Sequence, residues 1–76
     1  MTDTDARVAI PLEVLKGIEA VRRSGRTNML DRPAVAAIAL DLGHVEAAFW
    51  LDDKANHKAY AEGVFRGFRE EKTVSP

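Results

Sequence analysis

Residues 22–32 read Arg22-Arg23-Ser24-Gly25-Arg26-Thr27-Asn28-Met29-Leu30-Asp31-Arg32, four arginines against one aspartate in a chain whose formal net charge is −1. Guanidinium forks match phosphate or carboxylate at two points. Free N–H groups at a helix start attract anions, and Ser24, Thr27 and Asn28 add short polar groups. The stretch therefore reads as an anion-binding corner made by Arg22, Arg23, Arg26, Thr27, Asn28 and Arg32. Its ligand would be an acidic protein face, a phosphorylated small molecule or a nucleotide. A purely structural account exists beside it. Arg22 and Arg23 offset the dipole at a helix C-terminus, while Thr27 and Asn28 satisfy a turn.

Trp50 is the second candidate. It either covers the edge of the core or anchors an interface, since Trp, Tyr and Arg dominate binding hot spots. Catalytic chemistry has less to work with. Nucleophilic catalysis needs Ser, Thr or Cys beside a positioned base. Ser24 falls at a helix end and Ser75 in a tail, neither has a nearby histidine in sequence, and cysteine is absent. Asp52 and Asp53 are adjacent, so on a helix they do not face each other; a helix boundary accounts for them. Gly63 and Gly67 lack the spacing of a phosphate-cradling loop. Without thiolates, and with His44 and His57 far apart in sequence, no metal site and no cofactor are expected. The chain is expected not to be an enzyme.

A nucleic-acid reading starts from Ile38-Ala39-Leu40-Asp41-Leu42-Gly43, which echoes the first helix and turn of a helix-turn-helix. The helix that would read bases runs His44-Val45-Glu46-Ala47-Ala48-Phe49-Trp50-Leu51-Asp52-Asp53. It offers acids and no Arg, Lys, Asn or Gln for base edges. Those acids would face phosphates, where affinity comes from cations. An ordinary helix–helix corner is the preferred account.

These residues must be positioned by helices. Pro11 suits a first helical turn, and Val14, Leu15, Ile18 and Val21 recur at helical spacing up to Ser24. Gly25 supplies the stop. Asp31 reads as the N-cap of a second helix, with Leu30 and Val35 as a hydrophobic staple around it. That helix turns Val35, Ile38, Ala39 and Leu42 inward and ends at Gly43. Beyond it, Val45, Ala48 and Phe49 form one apolar stripe, and Tyr60, Val64, Gly67 and Phe68 another, with Ala61 and Phe65 beside it. The polar Asp52 and Asn56 between them predict a break near Asp52–Asp53, with Asp53 capping a fourth helix; one long kinked helix is the alternative. His57 is placed on the wet side.

The expected fold is all-α: a compact bundle of three to four short helices over residues 11–68, with a flexible arm at 1–10 and a flexible tail at 69–76. A hydrophobic fraction of 46% and a charged fraction of 30% over 76 residues fit one globular domain. The near-neutral charge gives no field for nucleic acid or anionic lipid. No apolar run approaches the ~18 residues a membrane helix needs. An acidic, polar start without a secretory pattern, together with the lack of cysteine, predicts a cytoplasmic location. A core this small supplies roughly 3–5 kcal/mol, and a homodimer is the remaining source of extra stability.

The run Ser24-Gly25-Arg26-Thr27-Asn28-Met29-Leu30-Asp31, followed by Val35, Ile38-Ala39, Trp50-Leu51, Tyr60 and Gly67, resembles a family of short proteins of unknown function found in tailed phages, prophages and some archaea. The resemblance covers about Leu12 to Gly67, and the turn motif is its most specific part. It implies a compact helical unit, a phage or prophage origin acting in a host cell, and a role for Asn28, Met29 and Asp31. It supplies no activity. The expected function is a non-catalytic binding protein, a phage-encoded modulator docking a host protein through the arginine corner. Sequestration of a small anionic ligand such as a nucleotide messenger is the alternative, and DNA binding a third.

Overall fold

Ile10 precedes a proline, which pushes it out of the α region and into extended backbone. The computed structural model, which describes residues 6–71, uses that constraint: β1 (Val8–Ile10) runs extended into Pro11, and α1 (Leu12–Ser24) starts at once behind it. Helix α1 buries Val14, Gly17, Ile18 and Val21 along one side. It ends where Gly25 adopts a left-handed conformation, φ 64°, and returns its N–H to the Arg22 carbonyl. Glycine reaches that region without the steric cost a side chain would meet.

Helix α2 (Arg32–Asp41) opens on Asp31, whose carboxylate accepts the Ala34 N–H at 3.3 Å, and carries proline in its first turn. The chain turns at Gly43 into α3 (Val45–Asp52). The predicted break falls where expected: Asp53 leaves helical backbone and caps a single 3₁₀ turn, Lys54–Asn56, which leads into α4 (His57–Arg66). After Gly67 the chain extends again as β2 (Phe68–Glu70). Strands β1 and β2 pair in parallel, Val8 with Phe68, Ala9 with Arg69 and Ile10 with Glu70. The Val8 N–H to Gly67 carbonyl bond (2.9 Å) and the Glu71 N–H to Ile10 carbonyl bond (2.7 Å) close the ends of the pair.

The core gathers Ile10, Val14, Ile18 and Val21 against Val35, Ala36 and Ala39 of α2, Ala47, Ala48 and Leu51 of α3, and Tyr60 of α4. Its smallest members decide the geometry. Gly17 of α1 meets Ala47 of α3 so closely that no Cβ would fit between them. Small residues at a crossing let two helix backbones approach, and the remaining side chains interlock around the contact.

The helical class is as expected, and several details differ. Residues 8–10 and 69–70 belong to the folded body, not to the arm and tail, because Ile10 is fully buried and the two segments satisfy each other's backbone. Residues 1–5 and 72–76 of those two stretches lie outside the described residues. Leu30 is 59% exposed, so it forms no staple over the buried Val35. Leu42 also faces out, and Ala36 takes an inward position. Helix α3 is rotated from the expected stripe. With about 100° per residue, turning Ala47 and Leu51 toward Gly17 places Phe49 on the far side, 69% exposed, and Val45 exposed with it. His57, expected in solvent, is half-buried.

Candidate binding surface

The turn joining α1 to α2 consumes most of the polar groups that mark the sequence motif. Ser24 donates its hydroxyl proton to the Val21 carbonyl (2.5 Å) and accepts the Arg26 N–H (3.3 Å). Asn28 Oδ1 accepts the Leu30 N–H at 2.9 Å, and the Asn28 carbonyl accepts the Asp31 N–H, also at 2.9 Å. Asn and Asp favour turns because a short side chain can bond the backbone two residues on. Met29 packs against the core, and its carbonyl accepts the Tyr60 hydroxyl at 2.5 Å from across the fold. Burial pushes the Tyr60 phenol up to about 12, with the positive charge of Arg32 acting in the opposite direction. Thr27 is half-buried within the same turn.

Arg26 and Arg32 do not share one surface. Arg26 Nη1 bonds Asp41 Oδ2 at 3.0 Å, reaching the C-terminal end of α2. Arg32 begins α2, and its Nη1 donates to the Leu51 carbonyl at 2.8 Å and lies 3.5 Å from Asp52 Oδ1. A ten-residue helix is about 15 Å long, so these two guanidiniums sit at its opposite ends. Each has a local task. Arg26 neutralises an acid placed at the unfavourable end of a helix dipole, and Arg32 satisfies a terminal carbonyl of α3 that has no partner within its helix. On α1, Arg22 is exposed and 3.5 Å from Glu19. Arg22 borders a groove of about 230 Å³ with Met29, Val64 and Phe68, while Arg23 borders another of about 400 Å³ with Leu15 and His44. Arg26 and Arg32 thus do not close one anion cradle, while the grooves beside Arg22 and Arg23 both border Glu19.

A different surface emerges on α3. Trp50 is half-buried, its carbonyl holding Asn56 Nδ2 at 3.1 Å. Trp50 and Phe49 form one wall of a groove of about 330 Å³; Pro11 and Val14 form the other, and Glu46 and Asp53 flank it. Asp53 is fixed there because its carboxylate caps the Ala55 N–H at 3.0 Å. Glu46 takes part in no ion pair among the described residues. The sequence marked Trp50 as a core-edge or interface residue, but it put Phe49 in the inner apolar stripe and so missed the groove. The pattern Ala47-Ala48-Leu51 carried the better stripe, and the glycine at position 17 was the signal that α3 would present alanine to α1.

Among the described residues no group of three or more His, Asp or Glu side chains is placed to hold a metal ion, and no helix is long and apolar enough to cross a membrane. The exposed side of α3 carries Val45, Glu46, Phe49, Asp52 and Asp53, a combination of acids and apolar groups without a cation.

Residues 12–67 match the model of a family described as a domain of unknown function, DUF5049. The match spans most of the chain, and the chain belongs to this family. No curated protein and no solved structure matches it.

Proposed function

We propose that this member of a family of unknown function acts by binding a protein partner, without chemistry of its own, and that α3 rather than the arginine corner presents the contact. The observation carrying this is Phe49, 69% exposed on a well-formed helix beside a half-covered tryptophan. Large aromatics next to a groove are the groups that supply most of the energy of protein interfaces. A small domain also gains stability by covering such a residue. The serine of the described residues spends its proton on a backbone carbonyl, which supports a role other than nucleophilic catalysis. In the setting implied by the resemblance to phage and prophage proteins, the partner is a host protein in the host cytoplasm and the consequence of binding is modulation of that protein.

Affinity capture with the tagged full chain tests the reading. Recovery of a specific partner is expected to fall about tenfold or more for Phe49→Asp or Trp50→Ala, the range for an interface anchor, and to stay unchanged for Arg26→Glu. The reverse pattern would return the interface to the arginine corner. A partner indifferent to all three changes would remove both surfaces.

A further inference from the structure

We infer that the groove between Pro11 and α3 receives a basic segment of a partner protein, inserting an apolar side chain between Phe49 and Pro11 while its Lys or Arg residues meet Glu46 and Asp53. This rests on the protein-binding reading above and assigns the chemistry of the partner. The walls are apolar: Pro11 and Val14 on one side, Phe49 and Trp50 on the other. The charged groups lining it are both carboxylates, and no Lys or Arg is among the lining residues. Helix α3 as a whole carries Glu46 and Asp52 with Asp53 at its end, and no cation. Asp52 is partly offset by Arg32, which leaves Glu46 and Asp53 as the uncompensated pair at the groove.

Charge complementarity selects among occupants. Nucleic acid and anionic lipid would bring negative charge to two carboxylates. A cationic segment brings the matching sign, and an apolar anchor matches the walls. The groove is shallow and widely open, and its volume of about 330 Å³ is at the low end of the ~300–1,000 Å³ seen for enclosed small-molecule sites. It therefore suits side chains projecting from a segment.

Trp50, the single tryptophan of the chain, reports on the groove directly. The probes are a synthetic amphipathic Leu/Lys peptide without tryptophan and its Leu/Glu counterpart, each titrated against the full chain. The Leu/Lys peptide should shift Trp50 emission saturably, with weaker binding as salt rises toward about 0.5 M. Phe49→Asp should abolish the shift. The double variant Glu46→Gln, Asp53→Asn removes both charges yet keeps an amide able to cap Ala55; it should weaken binding about fivefold, the sum expected of two exposed pairs.

Equal binding of the Leu/Glu peptide, no shift with either peptide, or an unchanged affinity in the double variant would each overturn the proposal. So would an emission change that follows protein concentration alone, together with a doubled solution mass, since the occupant would then be a second copy of the chain. If the peptides fail while Phe49→Asp still loses a captured partner, only the cationic assignment falls. If both fail, the protein-binding surface falls too.

Discussion

Gly17 lies where α1 crosses α3, and the crossing makes a quantitative demand. A Cβ added there would stand 2.3 Å from the Ala47 Cβ and 3.0 Å from the His44 Cβ. Carbon atoms rest comfortably at about 3.5–4.0 Å, so in Gly17→Ala the two helices must part by more than an ångström. Neither obstacle can swing aside, because each is the first carbon of a residue held on or beside α3. Parting the helices loosens the core side chains packed around the crossing, and a gap of 0.5–1 Å already forfeits about a quarter to a half of each contact. Overpacking of this kind costs about 3 kcal/mol at the upper end of its usual range. Replacing glycine by alanine within a helix returns about 1 kcal/mol. The net loss should be about 2 kcal/mol, a large part of the roughly 3–5 kcal/mol available to a domain this small, and should lower Tm by about 8–16 °C. Urea unfolding followed by circular dichroism measures it. The companion variant Gly17→Ala, Ala47→Gly moves the methyl group from one helix to the other and should recover most of the loss, a coupling of about 1–3 kcal/mol. A single variant as stable as the parent, or a double variant no better than the single, would refute the close crossing.

Three further outcomes follow from the same contacts. Tyr60→Phe removes the hydroxyl that serves the Met29 carbonyl and should cost about 1–2 kcal/mol. Because the phenol is pushed up to about 12 by burial while the unfolded chain titrates near 10, its stabilising contribution is complete below pH ~10 and lost as pH rises toward about 12. Ultraviolet titration of this sole tyrosine should show the late ionisation, and urea midpoints between those pH values should fall less in Tyr60→Phe than in the parent. Phe49→Ser should change stability by no more than about 0.5 kcal/mol, as at other exposed sites, whereas Leu51→Ala in the buried stripe should cost about 2–5 kcal/mol; comparable losses would return Phe49 to the core. Asp31→Ala should cost about 1 kcal/mol through loss of the α2 cap, and Asp31→Asn much less, both read from thermal melts.

What the sequence conveyed well was punctuation. Pro11, Gly25, Asp31 and Gly43 each impose a backbone requirement that acts within a few residues and sit at the expected boundaries, while Asp53 marks the expected break but caps the 3₁₀ turn, α4 itself starting behind Asn56. Rotation of a helix about its axis was legible only where the apolar stripe had no rival. Helix α1 offered one such stripe. Helix α3 offered two, and the choice depended on Gly17, a residue 30 positions from Ala47 and without a side chain to advertise the contact. The parallel strands were illegible for a similar reason. Three residues each, they carry no alternation to detect, and their pairing is closed by the whole helical unit between them. Arg26 and Arg32 illustrate the same limit at the site: proximity along the chain placed them together, and acceptors 15 and 19 residues away drew them apart.

The residues of the Ser24–Asp31 run and the positions that follow it have structural tasks of their own. Ser24, Gly25, Asn28 and Asp31 each close a backbone hydrogen bond or adopt a backbone conformation within the turn. Met29 contributes a packed side chain and the carbonyl that holds Tyr60. Leu51 is fully buried. A motif whose members are occupied in this way specifies how α1 hands the chain to α2 and where α4 docks. Under the proposed reading the partner would meet Trp50 of that pattern together with side chains outside it. Glu46, Phe49 and Asp53 are of that kind: α3 would keep its buried side without the Glu46 and Phe49 side chains, and Asp53 could be replaced as a cap by asparagine. Their presence together on one groove is therefore something that stability alone does not require. The turn residues thus carry the architecture, and under the proposed reading the exposed side of α3 is where partner contacts would be made at little cost to the fold.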